Sequence, residues 1–253
     1  MAKKADDRRS RIAELVASEG TMSVERLAEN FTVSVETIRR DLTELNERGL
    51  VRKVHGGASP PRLHAEGTFS ERMVEDPEAK QAIAAKLRDI VQPGETLFMD
   101  TGSTTLIAAG ALVTTPGLTV VTNSLSIAQA LGRADMDTQI YLLGGRFVPG
   151  NDQSVGATTL EQITHFQADH AVITVAGLDA EAGATDANAD EAQIARAMIK
   201  RANNAILLAT SSKFGRRAAF RVCGFEGIGA VLSDTQPSGP LMDALAREHV
   251  SVP

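Results

Sequence analysis

The segment Val33-Ser34-Val35-Glu36-Thr37-Ile38-Arg39-Arg40-Asp41-Leu42 decides how the first part of this chain folds. Serine commonly begins a helix, because its hydroxyl accepts a hydrogen bond from a backbone N–H of the first turn. After Ser34, apolar residues recur at spacings of three and four, which predicts an amphipathic helix with one buried stripe. The residues of that stripe are Val35, Ile38, Leu42 and Leu45.

The other side of this helix is polar and cationic. At about 100° per residue, Arg39 and Arg40 fall on or beside the face opposite the stripe, and Thr37 falls on its flank. A polar face is often only solvated. Arginines on an exposed helix face are also the side chains that contact guanine edges and phosphates in a DNA groove.

The segments on both sides favour DNA binding. Two amphipathic patterns precede the helix, and the short turn at residues 30–33 separates it from the second, as a helix-turn-helix requires. Residues 50–57 then alternate apolar with cationic side chains before a glycine pair, which predicts the two-stranded wing of a winged helix. The predicted DNA-binding residues are Ser34, Glu36, Thr37, Arg39, Arg40, Thr43, Arg52, Lys53 and His55.

The charge is divided unevenly along the chain. The net charge is −6, yet residues 1–62 hold 12 Lys and Arg against 10 Asp and Glu, a net of +2, and the remainder carries −8. Only the amino-terminal part can therefore face the phosphates of DNA. Its excess of positive charge is small, which predicts that a symmetric oligomer adds together the DNA contacts of its subunits. The single cysteine, Cys223, excludes an internal disulfide. The charged amino terminus and the lack of an eighteen-residue apolar run predict a cytoplasmic protein without a membrane partner.

The prolines at 60 and 61 interrupt regular structure. We place a DNA-binding domain at residues 1–57, a linker at 58–70 and a second domain at 71–253. In the second domain a helical pattern at 77–90 precedes six apolar strands separated by helices or turns, which predicts an open, mainly parallel α/β domain. The predicted strands are 96–99, 118–121, 140–143, 171–175, 205–208 and 230–232.

Five of these strands lead directly into loops of small polar residues and glycine. The carboxyl ends of parallel strands share one edge of the sheet, and ligands bind in the crevice there. The loops therefore predict one binding site. Its candidate residues are Asp100, Thr101, Gly102, Ser103, Thr104, Thr105, Asn123, Ser124, Gly144, Gly145, Arg146, Asp179, Asp186 and Lys213.

Within that site, the segment from Thr101 to Thr105 leads into a helix. Free N–H groups at a helix start, a glycine and several hydroxyls favour a phosphate or similar oxyanion, although a capped turn is the plain alternative. Lys213, on another loop of the same edge, favours the anion. Arg146 could pair with an anionic ligand or lie on the surface.

An acidic group follows the fourth strand and comprises Asp179, Asp186, Asp190 and Glu191. These residues could bind sugar hydroxyls, hold a metal, supply a catalytic base or simply form a solvated loop before a helix. We favour hydroxyl binding by Asp186. The five histidines are scattered without ligand spacing, so no metal site is predicted, and no motif implies a cofactor.

Over residues 8–234 the chain resembles the DeoR family of bacterial transcriptional regulators. The resemblance rests on Val33-Ser34, Thr37 to Leu42, Gly49, Arg52 and His55 to Ala58, and on Asp100 to Thr105, Thr185-Asp186 and Ser212 to Gly215. The resemblance implies a repressor of a carbohydrate-utilisation operon that binds double-stranded operator DNA as a homodimer or homotetramer. It also implies that the second domain is similar in fold to ribose-5-phosphate isomerase and senses a small anionic sugar. This chain has Thr210 where the family usually has an aspartate.

Two functions remain open at this point. The first is an effector-responsive regulator without catalytic residues. The second is an enzyme like sugar-phosphate isomerases fused to a DNA-binding module, with Asp179 or Asp186 as base and Lys213 as electrostatic partner. A winged helix has no role in such an enzyme, so we favour the regulator.

Overall fold

The computed structural model describes residues 2–47, 50–60, 66–133 and 137–253. The chain divides into two compact units, Met1–Ala65 and Glu66–Pro253. The predicted linker at 58–70 includes residues 61–65, which lie outside the described residues. Both ends of that stretch are structured, because residue 58 lies within a strand of the first unit and a helix of the second begins at Phe69.

The first unit is a winged helix-turn-helix, as the sequence predicts. Its helices and strands are α1 (Ala2–Glu19), β1 (Met22–Ser23), α2 (Val24–Phe31), α3 (Val35–Glu47), β2 (Arg52–Val54) and β3 (Gly57–Ser59). The predicted apolar stripe is buried at Ile38, Leu42 and Leu45, where it packs with residues of α1 and α2.

The sequence did not indicate β1, which is only two residues long. It pairs with β3, so the wing is a three-stranded sheet in the order β1-β3-β2. The close approach of β1 explains why a glycine stands at position 57, since a Cβ there would lie 2.1 Å from the Met22 carbonyl oxygen.

The second unit is an α/β domain built on a six-stranded parallel sheet. Its segments, in chain order, are α4 (Phe69–Val74), α5 (Pro77–Ile90), β4 (Thr96–Met99), α6 (Ser103–Leu112), β5 (Thr119–Thr122), α7 (Leu125–Gly132), β6 (Gln139–Leu142), β7 (Arg146–Val148), β8 (Gln153–Val155), α8 (Ala157–Ile163), β9 (Ala168–Thr174), β10 (Gly177–Asp179), β11 (Gly183–Asp186), α9 (Ala189–Lys200), β12 (Ala202–Leu208), β13 (Phe220–Cys223), β14 (Ile228–Leu232) and α10 (Pro240–Arg247).

The six predicted strands are the six strands of this sheet, in the order β14-β12-β9-β4-β5-β6 with parallel pairing throughout. Alternate side chains enter two separate cores, with Leu97 and Met99 on one face and Phe98 on the other. Chain order reverses between β4 and β9, and such a reversal is where open α/β sheets bind ligands.

Two predicted loops are wrong in part, because they contain strands. Residues 177–179 form β10, which pairs antiparallel with β11, and Arg146 begins β7, which pairs with β8. These hairpin strands have only three or four residues, and those of the second hairpin contain glycine and aspartate, so they lack the apolar runs that identified the main sheet. Across the described ranges, no helix has the length and apolar character needed to span a bilayer.

Candidate functional site

Helix α3 begins as the sequence predicts. The Ser34 Oγ accepts a hydrogen bond from the Thr37 backbone N–H at 3.2 Å and lies 2.9 Å from the Thr37 Oγ1. The Thr37 hydroxyl is therefore part of the cap, and the side chain is half-buried. The helix start is fixed by its own residues and does not depend on a partner.

The outer face of α3 presents charges that are weakly engaged. Glu36 lies 3.6 Å from Arg39 and 3.9 Å from Arg40, and the three side chains are 62%, 60% and 80% exposed, respectively. Exposed ion pairs of this length contribute little to stability. Both guanidinium groups are therefore available to another molecule.

The wing continues this face. The Lys53 Nζ donates to the Thr43 Oγ1 at 3.0 Å, and the Lys53 backbone N–H donates to the Asn46 Oδ1 at 2.9 Å. His55 is exposed at the turn between β2 and β3, whereas Arg52 is half-buried, with an Nε that has no hydrogen-bond partner among the described residues. The predicted DNA-binding residues thus lie on α3 and the adjoining wing.

Sequence reasoning missed Asp41, which holds α1 against α3. Its carboxylate is buried and accepts hydrogen bonds from Arg8 at 2.7 and 3.1 Å and from Arg9 at 3.1 Å. Position 41 falls on the apolar stripe beside Leu42, and a carboxylate there needs cationic partners. An aspartate on an apolar stripe was therefore the feature of the sequence that could have identified this ion pair.

In the second unit, Asp100 lies at the point where the strand order reverses. Both of its carboxylate oxygens accept from the Thr174 backbone N–H, at 3.1 and 3.2 Å, so the end of β4 is tied to the end of β9. Burial raises the pKa of Asp100 well above its ordinary value, and the carboxylates of Asp186 and Glu191 raise it further. These groups therefore share one electrostatic environment.

The segment after Asp100 forms an open helix start. Gly102 is the N-cap of α6 and supplies no side-chain cap, and a Cβ there would lie 2.2 Å from the Thr174 Cγ2. Ser103 and Thr104 are buried residues, and their hydroxyls have no hydrogen-bond partner among the described residues. The Thr105 Oγ1 donates to the Gly102 carbonyl at 3.0 Å, and the Thr101 Oγ1 is buried without a partner. Hydrogen-bonding capacity thus remains unused at this helix start.

The end of β5 joins the acidic residues through two amides. The Asn123 Nδ2 donates to the Gln153 Oε1 at 3.3 Å, and Gln153 and Asn151 both donate to the Glu191 Oε1, at 2.7 and 2.8 Å. The Asn123 Oδ1 is buried and has no partner in the described part of the chain. A hydrogen-bonded network therefore lies along the sheet edge with one acceptor unused.

Asp186 is a second buried acid whose pKa is strongly raised. Burial raises its pKa to about 7, with a contribution from Glu191, while the hydrogen bond from the Asn188 backbone opposes the shift. Burial also raises the pKa of Glu191. A carboxyl group of this kind can donate or accept a hydrogen bond near neutral pH, which suits a hydroxylated ligand.

Lys213 is paired with a residue that the sequence placed in a linker. Its Nζ lies 2.7 Å from the Glu66 Oε1, and the Arg72 Nη1 lies 2.6 Å from the Glu66 Oε2. Burial opposes ionisation of Glu66, but Lys213 and Arg72 outweigh it and lower the pKa. The Arg72 Nη2 also donates to the Asn151 Oδ1 at 3.3 Å, which joins this cluster to the network around Glu191.

Other predicted effector residues have contacts elsewhere. Asp179 accepts two backbone hydrogen bonds in the β10–β11 turn and pairs with Arg217 at 2.9 Å, and the exposed Arg146 pairs with Asp190 at 2.6 Å. Ser124 caps α7 by accepting from the Ile127 N–H. Gly144 and Gly145 pack against Gln162 and Thr159 of α8.

Glu66, Arg72, Asn151 and Gln153 belong to the same network and were not among the predicted residues, whereas Glu191 was named there only as a member of the acidic group. Glu66 fell in the predicted linker and Asn151 and Gln153 in an unpredicted hairpin, so no pattern marked them. In the portions of the chain that the structure describes, no group of three or more His, Cys, Asp or Glu side chains could hold a metal ion.

Family models match both units. The model of the DeoR-like helix-turn-helix domain matches residues 8–62, and the model of the DeoR C-terminal sensor domain matches residues 75–235. Together the two models span the predicted DNA-binding residues and the candidate site at the carboxyl ends of the parallel strands, which we call the strand-end site, except for Glu66 and Arg72.

Curated relatives align over most of the chain. The glycerol-3-phosphate regulon repressor of Escherichia coli (strain K12) is 33% identical over 249 residues, which cover 98% of both chains. The transcriptional repressor AccR of Agrobacterium fabrum (strain C58 / ATCC 33970) is 32% identical over 231 residues, which cover 90% of this chain and 89% of the AccR chain.

Solved structures also align with this chain at low identity. One chain of the tetrameric eIF2B-beta2-delta2 complex from C. thermophilum matches with a TM-score of 0.50 and 12% identity, over 96% of this chain and 88% of its own. Ribose 5-phosphate isomerase A from Methanocaldococcus jannaschii matches with a TM-score of 0.39 and 13% identity, over 53% of each chain.

Proposed function

Given that the chain belongs to the DeoR family and is a DNA-binding transcriptional regulator rather than an enzyme, we propose that it represses a carbohydrate-related operon and that a phosphorylated sugar metabolite sets its affinity for the operator. The family membership decides against the isomerase-like enzyme. A regulator of this kind acts in the cytoplasm, where operator DNA lies.

The observation that carries the effector proposal is the set of unused polar groups at the strand ends. The Thr101 Oγ1 and the Asn123 Oδ1 are buried without hydrogen-bond partners among the described residues, and the hydroxyls of the buried residues Ser103 and Thr104 have no partner there either. Buried polar groups are usually paired, so unpaired ones at the strand ends favour a ligand that pairs with them. The open start of α6 suits an oxyanion, and Asp186 suits sugar hydroxyls.

For the DNA half, we propose that Arg39 or Arg40 contacts a base edge in the major groove while Arg52, Lys53 and His55 contact phosphates. Two symmetry-related helices would then occupy half-sites one helical turn or a multiple apart. A homodimer or homotetramer is supported by large apolar side chains that are roughly half-exposed on β6, the edge strand of the main sheet, and on β7: Tyr141, Leu142 and Phe147.

The test of the effector site uses the double substitution Ser103→Ala with Thr104→Ala. A mobility shift on the DNA upstream of this gene should show nearly unchanged operator affinity, because α3 and the wing are intact. Release by glycerol 3-phosphate or an aldose phosphate that acts on the wild type should be lost. Thr158→Ala, which removes an exposed hydroxyl from α8, is the matched control. A well-folded double mutant that cannot bind the operator would contradict the assignment of DNA binding to the first unit and effector binding to the second.

The test of the DNA surface compares arginines with a wing lysine. Replacing the base-contacting arginine, Arg39 or Arg40, by alanine should cost about 1–3 kcal/mol and relax preference at one base pair. Lys53→Ala should weaken binding to all sequences and reduce the salt dependence by about one phosphate contact. Equal losses on specific and random DNA for both arginine variants would place the base contacts elsewhere.

A further inference from the structure

Glu66 stands apart from the other acids of the second unit, because its carboxylate is held by cations on both oxygens. Lys213 contacts one oxygen at 2.7 Å and Arg72 the other at 2.6 Å. The three side chains are only 11–16% exposed. The arrangement is the one by which proteins bind a carboxylate or phosphate ligand, with an internal residue in the ligand's place.

We infer that Glu66 occupies an anion-binding pair formed by Lys213 and Arg72, and that the anionic group of an effector binds there by displacing Glu66. The inference rests on the proposed function and deepens it. It adds Arg72 as a ligand of the anion and Glu66 as an internal competitor.

The charge of the cluster favours exchange. Two cations contact one carboxylate, and Arg216 adds a third nearby positive charge that helps to lower the pKa of Glu66. A phosphate monoester carries roughly −1.5 to −2 charges at neutral pH and three acceptor oxygens, so it matches this cluster better than a single carboxylate does. A buried cation left without a counterion is costly, which is why the pair holds Glu66 until another anion arrives.

The cluster belongs to the strand-end site rather than to a separate surface. The Arg72 Nη2 donates to the Asn151 Oδ1, and the Asn151 Nδ2 donates to the same Glu191 oxygen that Gln153 contacts. Gln153 in turn meets Asn123 at the end of β5. The Arg72 Nε is buried without a partner among the described residues, so this guanidinium has a donor left for a ligand.

The position of Glu66 gives displacement a consequence. Glu66 is the first residue of the second unit, where the chain arrives from the DNA-binding unit. Two residues later, Thr68 and Glu71 form the capping box of α4. An effector that binds only after Glu66 has left Lys213 and Arg72 favours one arrangement of this entry segment over another. Such differential binding is the requirement for coupling to operator affinity.

The experiment measures binding of inorganic phosphate to the full chain by calorimetry, for the wild type and three single variants. Glu66→Gln keeps the size of the side chain but removes the competing charge, so it should bind phosphate at least about fivefold more tightly than the wild type. Arg72→Gln and Lys213→Gln should each weaken binding at least about tenfold. Glu161→Gln, which changes the charge equally on exposed α8, should bind like the wild type.

A second measurement avoids dependence on a variant that could fold poorly. In the wild type, saturating phosphate should accelerate hydrogen exchange of the amides in residues 66–74, because Glu66 is released, and should leave α10 unchanged. Equal phosphate affinity in the wild type and Glu66→Gln, or slower exchange at 66–74, overturns the competition. Normal affinity in Arg72→Gln overturns its role as a ligand. If neither the wild type nor Glu66→Gln binds phosphate, the anion site of the proposed function fails as well.

Discussion

In the first unit the buried carboxylate of Asp41 is matched by Arg8 and Arg9, whereas in the second unit Asp186 and Glu191 raise the pKa of the buried Asp100, and Glu191 raises the pKa of Asp186. The first arrangement joins two helices. In the second arrangement no cation pairs directly with these acids among the described residues, and burial raises the pKa of each. The comparison distinguishes a buried carboxylate that stabilises the fold, Asp41, from buried carboxyl groups with raised pKa values that are available to bind a ligand.

The cations differ in the same way. Arg39 and Arg40 are 60% and 80% exposed, and within the described part of the chain their side chains pair only with the carboxylate of Glu36, at 3.6 and 3.9 Å, so DNA can contact them without rearrangement. Lys213 and Arg72 are mostly buried and are paired with Glu66. A small anion therefore has to exchange with a residue of the chain, and this exchange is what makes a response possible.

The largest effect is expected at Asp41. Asp41→Ala leaves Arg8 and Arg9 without their buried partner and should lower the unfolding free energy of the first unit by about 3–5 kcal/mol. Hydrogen exchange on the full chain should show faster exchange in α1 and α3 and no change in the six-stranded sheet. Glu36→Ala, an exposed carboxylate on the same helix, should change stability by less than about 0.5 kcal/mol. A small loss at Asp41 would mean that the two units use buried charge alike.

The opposite sign is expected at Asp186, where removal of the charge should stabilise. Burial, Glu191 and Glu66 raise the pKa of Asp186 from 3.8 to about 7, and Arg72 opposes them. Between these pH values the folded protein holds a proton that the unfolded chain has lost, so the unfolding free energy falls as pH rises through this window.

Asp186→Asn removes that dependence. Relative to the wild type it should gain up to about 4 kcal/mol between pH 4 and pH 8, measured by denaturant unfolding at several pH values. Asp89→Asn, on the exposed end of α5, is the control and should follow the wild type. A variant that loses stability equally at all pH values would show that Asp186 serves the fold, as Asp41 does.

The two units also differ in how far the sequence reveals them. Periodic apolar residues gave α3, α5 from Pro77 to Ile90 and all six strands of the parallel sheet, because burial imposes a repeat on local sequence. The antiparallel hairpins β7–β8 and β10–β11 have no such repeat. Their pairing depends on the parallel sheet being in place, which is information that a local window does not contain.

The site follows the same rule. Asp100 to Thr105 and Asn123 were predicted because parallel strands end at one edge whatever their spatial order. Glu66 and Arg72 enter the site from before the first strand of the sheet, and their contacts with Lys213 and Asn151 span 147 and 79 residues of sequence. Contacts over such separations are set by the assembled fold. Asp179 and Arg146 were predicted from loop position, but their charges are matched by Arg217 and Asp190.

The smallest effect concerns two serines that each cap a helix. Ser34 is an exposed cap of α3, whereas Ser124 is a buried cap of α7 and was also predicted to bind the effector. Ser34→Ala should cost about 1 kcal/mol, and Ser124→Ala somewhat more, about 1–2 kcal/mol, because the Ile127 N–H is then buried without a partner.

Phosphate binding distinguishes the two roles of Ser124. If its hydroxyl serves only as a cap, Ser124→Ala should keep the wild-type affinity for inorganic phosphate in calorimetry while its denaturation midpoint falls. Ser103→Ala should do the reverse, because that hydroxyl has no hydrogen-bond partner to lose among the described residues. A tenfold loss of phosphate affinity in Ser124→Ala would return Ser124 to the effector site and extend the ligand from the end of β4 to the end of β5.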